Sequence, residues 1–164
     1  SLPDIHCWDD IPETGTTFEE NAGQKSKYIF DRFALNCFAD DSGLEVDALN
    51  NEPGIYSARY SGTRDSEQNL YLVLEKLGNS TNRKARFVTV ISLLMDGKEY
   101  LFEGTINGQI AHKTTGKKGF GYDPIFIPDG YAITFADLDS SEKNRISHRA
   151  KAMQKLIEFL NTIG

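Results

Sequence analysis

Apolar residues recur on two different periods along this chain, and each change of period marks an element. Phe18, Ala22, Ile29 and Phe33 fall at helical spacing. Thr17 and Glu20 stand in the order of a capping box, in which each side chain satisfies a free amide of the first turn. The pattern predicts a helix over 17–33, with Lys25 and Lys27 on its polar face, most simply a solvated one. Asn36 breaks the period. Cys37-Phe38-Ala39 then reads as a short strand ending on Asp40-Asp41-Ser42-Gly43, where a glycine predicts a sharp turn. Leu44, Val46 and Ala48 alternate with Glu45 and Asp47, which predicts a second short strand with one buried face.

The stretch 50–54 reads as a loop, and 55–62 has no clean period. Asp65 caps a predicted helix over 65–77, with Leu70, Val73, Leu74 and Leu77 as its stripe and Gly78 as its stop. Residues 85–95 are rich in β-branched side chains and apolar on both faces, the composition of a central strand. Asp96-Gly97 is a hairpin signal, returning the chain through Tyr100 and Phe102, and 104–111 supplies a further strand. A polar, glycine-rich loop covers 114–121. The last predicted helix spans 140–160, with Ile146, Ala150, Met153, Ile157 and Leu160 as its apolar stripe and Lys143, His148 and Arg149 off it. No repeat or linker interrupts the sequence. The expectation is a single domain over 1–164, of α/β class with a mixed sheet flanked by helices.

Composition narrows the function classes. A chain of 164 residues is long enough to bury a core. Its net charge of −6 argues against a nucleic-acid-coating surface, since phosphate backbones attract basic faces. No apolar run approaches membrane-spanning length, and Ser1-Leu2-Pro3-Asp4 is not a signal-peptide pattern. Cys7 and Cys37 make no disulfide framework, so a reducing cytoplasm is expected. His6, His112 and His148 show no zinc-ligand spacing, so any metal is expected on oxygen.

Glu13, Asp40 and Asp41 supply enough carboxylate oxygen for one Mg²⁺ completed by water; the bland alternative is an acidic surface turn. Lys117 and Lys118 beside glycines suit a phosphate cradle or a solvated loop. Phe120 and Tyr122 beside Gly121 suit a platform for a flat base, or simply a buried strand. Lys143, His148 and Arg149, on one predicted helix, suit phosphate or a base edge, or a solvated face. Taken together these signals describe a site for a Mg²⁺-nucleotide.

Four motifs resolve the alternatives. Asp40-Asp41-Ser42-Gly43-Leu44, the run from Pro53 to Gly62, the run from Gly119 to Phe126 and Ser147-His148-Arg149 stand in one chain, behind Glu13-Thr14-Gly15-x-Thr17-Phe18-x-Glu20-Asn21-Ala22. From about Ile11 to Leu160 the chain closely resembles the inosine/xanthosine triphosphate pyrophosphatases, which cleanse nucleotide pools of deaminated purines. The resemblance implies an elongated α/β fold with a long mixed sheet, two lobes around a central cleft, and a homodimer. It implies Mg²⁺-dependent hydrolysis of ITP, dITP or XTP to the monophosphate and pyrophosphate. Asp41 matches the general base and a metal contact, and Glu13 a second metal ligand. Ser42, Phe120, Gly121, Tyr122, Asp123, Lys143, His148 and Arg149 match substrate contacts. Either Asp41 or Asp40 would accept the proton of the attacking water. The family opens with a strand and a Thr-x-Asn-x-x-Lys phosphate loop that this sequence lacks. That motivates one alternative, a catalytically silent nucleotide-binding module; a pyrophosphatase for other modified nucleotides is a further alternative, which a substrate panel separates.

Overall fold

The computed structural model of the chain describes residues 2–5, 9–116 and 120–163. Lys117 and Lys118, expected as a phosphate cradle, lie outside them, as does Cys7. Helix α1 (Phe18–Phe33) forms where the capping pattern predicts it. Thr17 is extended and its side chain accepts from the Glu20 amide. The Glu20 carboxylate reaches back to the amide of Thr16 at 2.6 Å, one residue ahead of the expected partner. Phe18, Ala22 and Ile29 are buried, and so are two polar residues of the same helix, Asn21 and Ser26.

Strand β1 (Cys37–Val46) corrects the expected turn at Gly43 and the separate strand after it. All ten residues pair antiparallel with β3 (Lys84–Met95), from Cys37 opposite Leu94 to Val46 opposite Ala85. The glycine is needed for another reason. A Cβ at Gly43 would lie 2.3 Å from the carbonyl oxygen of Gly54 and 2.7 Å from Ser57 Oγ. Gly43 therefore allows the 3₁₀ segment Gly54–Arg59 to pack directly on the strand, and that segment occupies the stretch whose period was unreadable. Ala48 belongs to a 3₁₀ turn rather than to a strand.

Strand β2 (Glu52–Pro53) pairs briefly with the end of β1. Helix α2 (Ser66–Leu77) follows as predicted, with the Asp65 side chain capping Glu67 and Gln68 amides. After β3, Asp96 and Gly97 take positive φ, +52° and +77°, and close the hairpin. The return is one strand, β4 (Lys98–Ile110), rather than two. Strand β5 (Phe126–Pro128) pairs with its end. The sheet order is β2-β1-β3-β4-β5, and every pairing among the described residues is antiparallel. The α/β class and the helix-flanked sheet stand, and among the described residues the sheet is antiparallel rather than mixed. After β1 the chain travels through α2 and re-enters the sheet beside Val46, the end it had just left, so β3 must run back.

The predicted final helix is two: α3 (Ser140–Ile146) and α4 (His148–Ile163). Ser147 takes an extended ψ of 156° between them, and its hydroxyl accepts from the Ala150 amide at 3.2 Å, starting the second helix afresh. The apolar stripe moves accordingly. Ala152 and Leu156 are buried, whereas Ile157 and Leu160 are exposed.

Successive residues of a strand point to opposite faces, and the core follows that alternation. Val88 and Val90 pack with Phe18 and Ala22 of α1, while Ile91 and Leu93 pack with Ala152 and Leu156 of α4. Helices α1 and α4 thus cover opposite faces of the sheet. A third cluster joins Leu44, Val46 and Phe87 to α2 and to Tyr122, Phe126 and Phe135. Among the described residues no helix is long and apolar enough to cross a membrane.

Candidate active site

Asp40 and Asp41 are adjacent in sequence, and a strand necessarily separates them. Asp41 lies opposite Val90, on the face covered by α1; Asp40 lies opposite Ile91, on the face covered by α4. The expected site residues divide into two groups accordingly.

On the α1 face, Asn21 Nδ2 donates to Asp41 Oδ2 at 3.2 Å. The same amide's Oδ1 accepts from the backbone of Gly15 at 2.8 Å, so one buried Asn joins the 13–16 loop to β1. Gln24 and Thr14 add two further bonds between that loop and the helix. This stitching delivers Glu13 to Lys25, whose ammonium lies 2.7 Å from Glu13 Oε1 and 3.6 Å from Asp41 Oδ1. Burial pushes the Asp41 carboxyl above its ordinary range; Lys25 and Asn21 pull it back, and Glu13 pushes the same way as burial.

Sequence reasoning missed Lys25 and Asn21. The signal was present: Asn21 and Lys25 sit three and seven residues after buried Phe18, on its stripe rather than on the polar face. Among the described residues no group of three or more His, Cys, Asp or Glu side chains converges on one point. Glu13 and Asp41 nevertheless bracket a positive charge with hard oxygen donors. Two carboxylates, with water and phosphate oxygen supplying the rest, are the donor set that suits Mg²⁺.

On the α4 face, Asp40 Oδ2 pairs with Arg149 at 3.2 Å and accepts from Ser42 Oγ at 3.3 Å. Ser42 is held in turn by Thr89, 2.8 Å away. His148 begins α4 with its ring stacked on Phe87, centroids 4.8 Å apart at 11°. Gly104 makes this seat possible, since a Cβ there would lie 2.0 Å from the His148 carbonyl oxygen. His148 Nδ1 is buried and has no hydrogen-bond partner among the described residues. Burial and the positive charge of Arg149, Lys143 and Lys151 bring its pKa down to about 3, so the ring is neutral at physiological pH.

The loop before β5 completes this side. Phe120 is 85% exposed, whereas Tyr122 is 6% exposed and its hydroxyl donates to the Ser57 carbonyl at 2.7 Å. Of the two expected platform rings, Phe120 is the exposed one. Asp123, buried, accepts from the Phe120 amide at 2.7 Å and pairs closely with Lys143. Lys143, expected on substrate, is here an anchor for Asp123, lying 5.6 Å from the Phe135 ring centre. Gly121 takes a positive φ of +60° with open space around it. Two surface cavities, about 400 and 560 Å³, include neither Asp41 nor Arg149. We identify the site by its side-chain chemistry.

Comparison with known proteins points the same way. The chain is 51% identical to a dITP/XTP pyrophosphatase of Flavobacterium johnsoniae over 161 residues, covering 98% of this chain and 84% of that protein. It superposes on the Ham1 protein of Staphylococcus aureus with a TM-score of 0.95 at 46% identity, covering 99% of this chain and 86% of that one. A HAM1 protein from Coxiella burnetii gives 0.90 at 41% identity, over 94% and 81% of the two chains. The sequence profile of the Ham1 family matches residues 1–159, and this chain belongs to that family.

Proposed function

We propose that this protein hydrolyses deaminated purine nucleoside triphosphates, dITP, ITP and XTP, to the monophosphate and pyrophosphate. The observation that carries the reading is the division at Asp40-Asp41. One strand presents a partly buried carboxylate beside Lys25 and Glu13 on one face, and an Arg149-bearing cluster on the other. Relatives that are named dITP/XTP pyrophosphatases, at about half identity over nearly the whole chain, support it.

Asp41 is the proton acceptor. Its raised affinity for a proton, caused first by burial, suits a general base better than an exposed carboxylate would. The water oxygen bonds to the α-phosphorus, the bond from that phosphorus to the bridging oxygen of the β-phosphate breaks, and the water's proton passes to Asp41. Lys25 supplies positive charge against the negative charge gathering on the departing pyrophosphate. Glu13 and Asp41 would hold Mg²⁺, which supplies charge neutralisation to the phosphates. Asn21 keeps Asp41 aimed, and the 13–16 loop keeps Glu13 beside it. On the far face Phe120 covers the base, while Arg149 donates to the 6-oxo group of hypoxanthine or xanthine. Adenine carries a donor at that position, so ATP sets donor against donor. The protein is a cytoplasmic homodimer in this reading.

The test is pyrophosphate release from ITP, dITP, XTP, ATP and a panel of modified pyrimidine triphosphates with Mg²⁺. Turnover of the deaminated purines should dominate. Asp41→Asn, which keeps shape but removes the charge, should cut kcat by roughly two to four orders of magnitude. Nucleotide binding without turnover would instead support a silent binding module, and turnover confined to the pyrimidines a different substrate class.

A further inference from the structure

Ser57, within the run from Pro53 to Gly62, has no role assigned above, yet it bonds both the strand that carries Asp41 and the segment that presents Phe120. Its hydroxyl accepts from the Leu44 amide at 2.9 Å and donates to the Gly54 carbonyl at 2.6 Å. Leu44 is three residues beyond Asp41 on the same strand. The Ser57 carbonyl accepts the Tyr122 hydroxyl at 2.7 Å, and Tyr122 sits within the Phe120–Asp123 run that presents the exposed aromatic face. Ser57 is buried, at 8% exposure, and Tyr122 at 6%, so neither bond is exchanged freely for water.

Three further features fix the same junction. A Cβ at Gly43 would strike Gly54 and Ser57 on one side and come within 2.8 Å of Phe18 on the other. The strand, the 3₁₀ segment and α1 therefore meet with no spare volume. From α1 the next polar contact is Asn21 to Asp41. From Tyr122 the next residue is Asp123, which holds the Phe120 amide and Lys143. Ser57 thus joins the strand that carries the reacting carboxylate to the segment that carries the base platform.

We infer that Ser57 is a positioning residue for this reaction, tying the base platform through Tyr122 to the strand that carries Asp41. It sets how far the α-phosphorus lies from Asp41 once the base is seated on Phe120. The inference rests on the functional reading above. A base clamped at one end and a carboxylate fixed at the other determine the register of the reacting atom, and an error of about 1 Å there costs on the order of a hundredfold in rate.

The experiment is a double-mutant cycle in the full chain. Ser57→Ala removes the hydroxyl and Tyr122→Phe removes the donor to Ser57. Each should lower kcat/KM for ITP about tenfold or more, with kcat falling more than KM rises. Because the two variants break successive bonds of one series, the Ser57 hydroxyl to β1 and the Tyr122 hydroxyl to the Ser57 carbonyl, the double variant should be little worse than the poorer single variant. A merely structural role would lower Tm while leaving kcat unchanged below the transition, or give effects that multiply; either result overturns the inference. A second readout needs no turnover. The Leu44 amide keeps its own acceptor in Tyr122→Phe, yet its hydrogen exchange should quicken there if the link transmits position. Unchanged exchange at Leu44 overturns the inference too. Should the unaltered chain release no pyrophosphate from ITP, the functional reading falls, and the exchange measurement decides the link by itself.

Discussion

Arg149 and His148 are neighbours that the fold uses in opposite ways. Arg149 is exposed and tethered to Asp40, and its five-donor guanidinium has donors left over for a base edge. Arg149→Ala should lower kcat/KM for ITP strongly, leave ATP turnover low, and shrink the ratio between them. The ratio is the sensitive quantity, because a donor that reads the base edge affects the two nucleotides unequally. Steady-state kinetics on both nucleotides check it, and an unchanged ratio would assign Arg149 to phosphate instead. His148 is stacked and partly buried, its Nδ1 atom fully so, with a folded pKa of about 3 against an ordinary 6.5. Between those values the unfolded chain binds a proton that the folded chain refuses. Stability from this group is therefore full above pH 6.5 and declines as pH falls towards 3, by up to about 1.4 kcal/mol per pH unit. Urea unfolding at pH 7 and pH 5 should show a smaller loss on acidification for His148→Gln than for the unaltered protein.

At the scale of elements, β1 does most of the organising. It pairs with β3 along its whole length, sends Asp41 to α1 and Asp40 to α4, and leaves its Gly43 position bare for the 3₁₀ segment. Gly43→Ala keeps strand geometry available, since no positive φ is involved, and introduces only a methyl group. That methyl meets backbone oxygen at 2.3 Å, which a flexible side chain cannot relieve. Overpacking of this kind costs about 1–3 kcal/mol. Thermal unfolding should register it as a fall of several degrees in Tm, and an unchanged Tm would mean that the 3₁₀ segment moves aside easily. The elements that the sequence predicted well are those with local causes: the Thr17 and Asp65 caps and the Asp96-Gly97 hairpin. The errors are also physical. Gly43 was read as a turn because its free conformation is a local property and its crowded surroundings are not. The single helix over 140–160 was misread because Ser147 stops it through its own backbone angle while the apolar spacing continues across.

For the whole molecule, the antiparallel sheet places the two halves of the candidate site back to back, with α1 behind one and α4 behind the other. Mutual dependence is the consequence: movement of either helix against the sheet displaces one half relative to the other. The homodimer proposed here should appear in sedimentation velocity as a species of about twice the 18.4 kDa chain mass; a single monomeric boundary at micromolar concentration would refute it.

By itself the sequence determined the class of the fold, the order of its elements, and the candidate chemistry, because caps, hairpins, periodicity and motif residues act over a few neighbours. It also determined that Asp40 and Asp41 stand together, and there its information stopped. That they face different ways was a matter of whether residues 40–43 turn or stay extended, which the pairing of ten residues with β3 decided. The entry of Lys25 and Asn21 into the site depended on which stripe of α1 lies against β1. That Tyr122 is buried and Phe120 exposed was decided by what packs around each, and the packing brings the Tyr122 hydroxyl to the Ser57 carbonyl. Each of these is a contact between segments far apart along the chain, and such contacts have no local signature for a single sequence to carry.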